Sequence, residues 1–141
     1  MPANAPLQLL AEDPADLAVM SAALQDAVAK VGDIAFEARA RRLTIAFNRF
    51  RWEAGSRQRV RSALQLGGVL KMQQRKIRRD RPEAVLELLA ITFEAGEPPG
   101  GVLTLSFAGG GDLRMWVECV DAVLADLSAP WPTPRSPAHD A

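Results

Sequence analysis

Ten cations in the middle of the chain are the residues whose type and spacing could do chemistry: Arg49, Arg51, Arg57, Arg59, Arg61, Arg75, Lys76, Arg78, Arg79 and Arg81. A guanidinium offers a planar fork of N–H donors that matches phosphate or carboxylate oxygens. At alternate positions of a strand such forks project from one face. Arg49 and Arg51 have that spacing, as do Arg57, Arg59 and Arg61, while Arg75–Arg81 reads as a mobile loop. The chain of 141 residues is neutral, with 17 Lys+Arg against 17 Asp+Glu, yet its charges are segregated. Between Arg39 and Arg81 there are 14 basic residues and two acids (Glu53 and Asp80), a net of 14 − 2 = +12, and the remainder carries 3 − 15 = −12. Two outcomes follow from this segregation. Either folding leaves a cationic patch for phosphates or an acidic protein, or basic strands and acidic helices lie side by side and neutralise one another.

Other chemistries find few residues. Metal centres need several converging His, Cys or carboxylate ligands, and the chain has one cysteine, Cys119, and one histidine, His139. Neither a metal, a cofactor nor a catalytic residue is expected. Cys119 has Glu118 and Asp121 as sequence neighbours, which disfavours a thiolate. The acids fall on expected helix faces and turns, so a catalytic carboxylate pair is not expected. Gly109-Gly110-Gly111 lacks the spacing and the following helix of a phosphate loop and reads as a hairpin turn. A single cysteine, an N-terminus without a cationic and apolar leader, and no apolar run approaching membrane-spanning length together predict a cytoplasmic protein with no integral membrane segment.

The elements that must position the cations follow from periodicity. Residues 1–6 read as a flexible lead, 7–128 as a single α+β domain, and 129–141 as a proline-rich disordered tail. Leu7–Ala11 reads as a short strand. Asp13 as N-cap and Pro14 at the first helical position start a helix, and Leu17, Met20, Leu24, Val28 and Val31 extend its apolar stripe to a stop at Gly32. Period two follows at Leu43, Ile45 and Phe47, and a bulge near Asn48-Arg49 is expected to turn Phe50 and Trp52 to the core and Arg49 and Arg51 away from it. Further strands are expected at Arg57–Leu66, Val69–Ile77 and, centrally in the sheet, Val85–Glu94. Leu103–Phe107 and Leu113–Val117 form a hairpin. Val117, Val120, Val123, Leu124 and Leu127 predict a C-terminal amphipathic helix, with Trp131 folded back over its end. The fold class predicted is α+β: an antiparallel sheet or barrel of about seven strands with an N-terminal and a C-terminal helix.

Three stretches, Ala11–Val28, Asn48-Arg-Phe-Arg-Trp-Glu53 and Phe107–Leu127, resemble a family of short uncharacterised proteobacterial proteins classed as a domain of unknown function. The resemblance implies a bacterial cytosolic single-domain protein and transfers no site residue. The element order also resembles a pleckstrin-homology-type barrel, in which the C-terminal helix plugs one open end. Fold analogy of this kind favours a binding module over an enzyme without establishing either. The expected function is a non-enzymatic binding or adaptor domain that engages a protein partner, or a second copy, through an exposed strand edge or the arginine-bearing face. The alternative is electrostatic binding of nucleic acid or anionic lipid headgroups by the same cations.

Overall fold

Alternation of period two governs more of the chain than the sequence pattern suggests. The computed structural model describes residues 5–134. In chain order the elements are β1 (Gln8–Ala11), α1 (Pro14–Ala23), β2 (Val28–Lys30), a 3-10 turn (Val31–Asp33), β3 (Ile34–Glu37), β4 (Arg42–Phe50), β5 (Gln58–Leu66), β6 (Val69–Arg75), β7 (Val85–Ala95), β8 (Gly101–Phe107), β9 (Asp112–Val117), β10 (Ala122–Asp126) and β11 (Trp131–Pro132). The strands form one antiparallel sheet in the order β1-β10-β5-β4-β2-β7-β8-β9-β6, with β3 on β4 and β11 on β5. Its two ends, β1 and β6, do not pair with each other, so the sheet is not closed.

The path folds over on itself at a shared corner. β5 passes into β6 through Gly67-Gly68, and β9 passes into β10 through residues 118–121. The two bends are tied together, Gly67 N–H donating to Asp121 O and Glu118 N–H to Gly68 O, both at 2.9 Å. Strands that bend from one layer to another in this way make the corners of packed sheets. Between the layers lies one core, in which Leu43, Ile45, Phe47 and Leu64 from one side meet Leu103, Leu105, Phe107 and Met115 from the other.

The α+β expectation with two terminal helices is therefore corrected to a mostly antiparallel β fold, with eleven strands and one α-helix among the described residues. The C-terminal helix is absent because the same residues satisfy period two once the chain bends. Val117 closes β9, Val120 lies in the bend, and Ala122 and Leu124 face inward on β10. A strand between β1 and β5 makes hydrogen bonds along both edges, and this outweighs the modest helix preference of Ala and Leu. Leu127, assigned above to the apolar helix face, is 61% exposed. With no C-terminal helix to plug a barrel, the pleckstrin-homology-type arrangement does not hold. α1 packs against β7 and β1 instead and buries Leu17 and Met20.

α1 starts as expected, the Asp13 side chain accepting from Asp16 N–H at 2.8 Å, but it ends at Ala23 rather than near Val31. Asp26 has φ +62° and turns the chain, after which Val28–Lys30 pairs with β7. Of the expected stripe, Leu24 is buried at the C-cap of α1 and Val31 in the 3-10 turn after β2. β7 is central in pairing as expected, though Val85 and Leu89 remain exposed. The β8–β9 hairpin forms as expected, with Gly109 and Gly110 at φ +90° and +94°. Where the prolines predict no packed element, Trp131 pairs with Arg59 and Pro132 with Gln58 of β5. Trp131 thus covers no helix, and residues 1–4 of the expected lead and 135–141 of the expected tail lie outside the described residues.

Close backbone approach makes one glycine sensitive. A methyl on Gly101 would meet the Glu94 carbonyl and the Phe93 ring edge inside contact distance, at the pair where Ala95 faces Gly101. Gly101→Ala is expected to separate the ends of β7 and β8 and to lower stability by about 1–3 kcal/mol. Urea unfolding checks this, and an unchanged midpoint would contradict the close approach.

Candidate functional site

The expected bulge near Asn48-Arg49 is absent. The β4–β5 register runs without a break from Leu43↔Leu66 to Phe50↔Arg59. Arg49 therefore keeps the parity of Phe47 and points inward, where it is 0% exposed, and Arg51 beyond the end of β4 is 2% exposed. These two cations are buried and do not belong to the exposed arginine-bearing face expected from the sequence. Phe50 faces the opposite way, under the Arg59 guanidinium at 6.0 Å and edge-on to Trp52 at 4.7 Å.

A buried guanidinium is tolerated only when its donors are satisfied. Arg49 meets that demand with two carboxylates. Its Nε and Nη2 donate to Asp126 Oδ1 and Oδ2, both at 3.0 Å, and its Nη1 and Nη2 donate to Glu53 Oε1 and Oε2 at 2.9 and 2.8 Å. Asp126 also accepts from Ser62 Oγ at 2.7 Å and from Leu7 N–H at 2.8 Å. Arg51 Nε lies 3.7 Å from Glu53, and its Nη1 donates to Gln58 Oε1. Two cations and two anions thus balance. One ionic knot joins β4, β5, β10, the β4–β5 loop and the residue before β1.

Ionisation within the knot follows from these bonds. The Arg49 bond is the main force holding the Glu53 carboxyl below its usual range. At Asp126 burial pushes upward, but Arg49, the Leu7 N–H and Ser62 together outweigh it and leave the carboxyl below its usual range. For Arg49 burial lowers the pKa, and the bonds to Glu53 and Asp126 outweigh it and raise the net value. A groove of about 600 Å³ lies beside the knot, with Arg51, Gln58, Asp126 and Ser128 among its walls.

The other cations named from the sequence are dispersed. Arg61 bonds Asp33 at 3.0 Å and Asn48 at 3.1 Å. Arg57 donates to Pro134 O, and Arg59 to Asn48 O. Arg78 pairs with Asp80 at 3.0 Å, and Arg79 donates to the carbonyls of Ile34 and Val31 along the outer side of β3. Arg75 pairs with Asp112 at 2.8 Å. Lys76 and Arg81 are exposed. Arg59 and Arg61 stay together on one face of β5, both reaching Asn48, but the array as a whole does not gather into one patch, and its carboxylate partners come from strands, loops and the 3-10 turn at Asp33, not from α1.

A smaller basic surface survives at β6, where Arg75 and Lys76, both named from the sequence, are joined by Lys71 and Arg114, which are not. β6 pairs with β9 in the register Lys71↔Trp116, Gln73↔Arg114 and Arg75↔Asp112, so these six share one face. The Lys71 ammonium sits 4.7 Å over the Trp116 ring. Among the described residues no carboxylate pairs with Lys71, Lys76 or Arg114. β6 ends the sheet, and along residues 70–75 its outer edge has no partner strand among the described residues. Neither Lys71 nor Arg114 stands out in sequence. The β6–β9 pairing alone makes them neighbours, across about 40 residues of chain.

The family model described as Protein of unknown function (DUF2948) matches residues 7–139. The chain belongs to this family. All three stretches that carry the resemblance lie inside the matched span, as do the ionic knot and the β6–β9 surface. Comparison with curated proteins finds no match, and comparison with solved structures finds none either. Among the described residues of this family member, no group of three or more His, Cys, Asp or Glu is placed to hold a metal ion. No helix among them is long and apolar enough to cross a membrane.

Proposed function

We propose that this chain is a non-enzymatic binding module that takes up an extended segment of a partner protein as an added strand on β6. The outer edge of β6, without a partner strand along residues 70–75 among the described residues, carries the reading. An open edge presents a row of main-chain donors and acceptors, which is what a partner strand pairs with. Among the described residues β7 also lacks a strand partner on one side beyond its pairing with β2, but α1 packs there and Ser21 Oγ accepts from Ile91 N–H; the remaining edge strands are shorter. β1 and β3 have four residues each, and the Arg79 side chain already occupies the Ile34 carbonyl of β3. Charge at β6 also discourages its use as a homotypic edge. In an antiparallel pair of two β6 strands centred on Gln73, Lys71 of one copy would face Arg75 of the other, and like charges directly opposite are destabilising.

Three Val/Thr-rich peptides test the reading, identical except for Glu, Gln or Lys at two positions four residues apart. Addition of a binding peptide is expected to slow amide hydrogen exchange at residues 70–75 and to leave β1 unaffected. Backbone N-methylation of the same peptide should abolish the effect, because it removes edge donors and keeps the side chains. If none of the three peptides slows exchange at β6, or if N-methylation changes nothing, strand addition is excluded. Salt-sensitive retention on polyuridylate without protection at β6 would point to the alternative of polyanion binding and would also overturn the reading.

A further inference from the structure

The geometry points to an acidic partner segment at the β6 edge, with carboxylates at two positions four residues apart and an apolar side chain beside one of them. This rests on the strand-addition reading above and names the chemistry of the occupant. Charge makes the first argument. Lys71, Arg75, Lys76 and Arg114 lie on or beside the edge, and among the described residues Asp112 is the carboxylate that pairs with this group, so its balance is 4 − 1 = +3. At the entry of β6 Val69 N–H donates to Arg41 O of the β3–β4 turn; Arg41 is paired with Glu118 and Arg42 with Glu37, and the exposed Arg39 is the turn's further cation.

Register makes the second argument. Lys71, Gln73 and Arg75 point to the outer face, whereas Met72 points inward, opposite Met115, and packs half-buried against the core. Side chains of an added strand stand directly beside those of the edge strand. Carboxylates opposite Lys71 and Arg75 would therefore sit on the outer face, about 13 Å apart at the rise of a strand. The residue opposite Met72 would extend the apolar layer and favours Val, Ile or Leu. Trp116 under the Lys71 ammonium holds the cation in place before the partner arrives, which reduces the ordering cost of binding.

The three peptides decide this separately from strand addition. On the unmodified protein the expected order is Glu tightest, Gln weaker by on the order of tenfold, and Lys weakest. Binding of the Glu peptide should weaken as salt rises through the range in which exposed charges are screened, while binding of the Gln peptide should hardly change. On Lys71→Glu with Arg75→Gln the order of the Glu and Lys peptides should reverse, and the Gln peptide should bind as before. Equal affinity for Glu and Gln on the unmodified protein would overturn the acidic partner and leave strand addition standing. So would an unchanged order on the double variant that still binds the Gln peptide. Should the double variant fail to fold, the salt dependence of the Glu and Gln peptides decides, and a flat response for both overturns the inference. If none of the peptides binds, the strand-addition reading itself has failed.

Discussion

Replacing Asp126 by Ala is expected to cost about 3–5 kcal/mol of folding stability, the loss typical when one member of a buried ion pair is removed. The guanidinium of Arg49, itself 0% exposed, loses the carboxylate that accepts from its Nε and Nη2 and keeps Glu53 as its one charged partner among the described residues. Two further donors lose their acceptor at the same time, the Ser62 hydroxyl and the Leu7 N–H. Loss of the latter loosens the start of β1, so amide exchange at Gln8–Ala11 should quicken beyond the global effect. Arg49→Ala is expected to cost a similar amount, since it strands the buried Asp126 carboxylate. The Arg49→Ala/Asp126→Ala double variant should cost less than the sum of the two, because neither charge is then left alone. Urea unfolding of the four proteins measures this. Additive losses, or a loss below about 1 kcal/mol for Asp126→Ala, would show that the knot does not act as a buried unit.

Acid should act on the same knot, with a sign that depends on Arg49. Glu53 and Asp126 both ionise in the folded protein below their usual range. Protons therefore bind the unfolded chain more readily, and stability falls as pH drops from about 5 through the lowered native values. Glu53 is partly exposed, so solvent screens part of its share. Asp126 carries the larger part. In Arg49→Met the largest force opposing burial is gone and only the Leu7 N–H and Ser62 bonds still act against it, so the Asp126 carboxyl moves up from its lowered native position. A group raised in the native state contributes stability below its unfolded value and loses it as pH rises through the native one. The Arg49→Met protein is thus expected to flatten or reverse the acid slope, gaining relative to wild type on acidification from pH ~6 to ~4. Parallel slopes for the two proteins in urea unfolding at several pH values would refute the assignment.

Local signals read the N-cap at Asp13, the strand alternation at Leu43, Ile45 and Phe47, and the β8–β9 hairpin, and all three stand. Each depends on residues within one element or one turn. The C-terminal segment misled because Val117, Val120, Val123, Leu124 and Leu127 fit a helical stripe as well as a bent strand. The distinction lies in whether two strands wait on either side, and for β10 they are β1 and β5, from the opposite end and the middle of the chain. The same limit applied to Arg49. Expecting a bulge spared an arginine from the core, and nothing near it in sequence announced that Asp126, 77 residues away, would supply the carboxylate.

By itself the sequence determined the family of the chain, the β-rich character of its middle and the segregation of its charge, because composition and short-range periodicity survive folding unchanged. Which cations face water was decided only by the tertiary structure. Alternation assigns a side chain to one of two faces, but strand order decides which face is interior and which carboxylates stand across from it. That order buried Arg49 and Arg51 beside Glu53 and Asp126, divided the remaining arginines among several partners, and left Lys71 and Arg114 on one face at the open end of the sheet, Lys71 across from Trp116 and Arg114 across from Gln73.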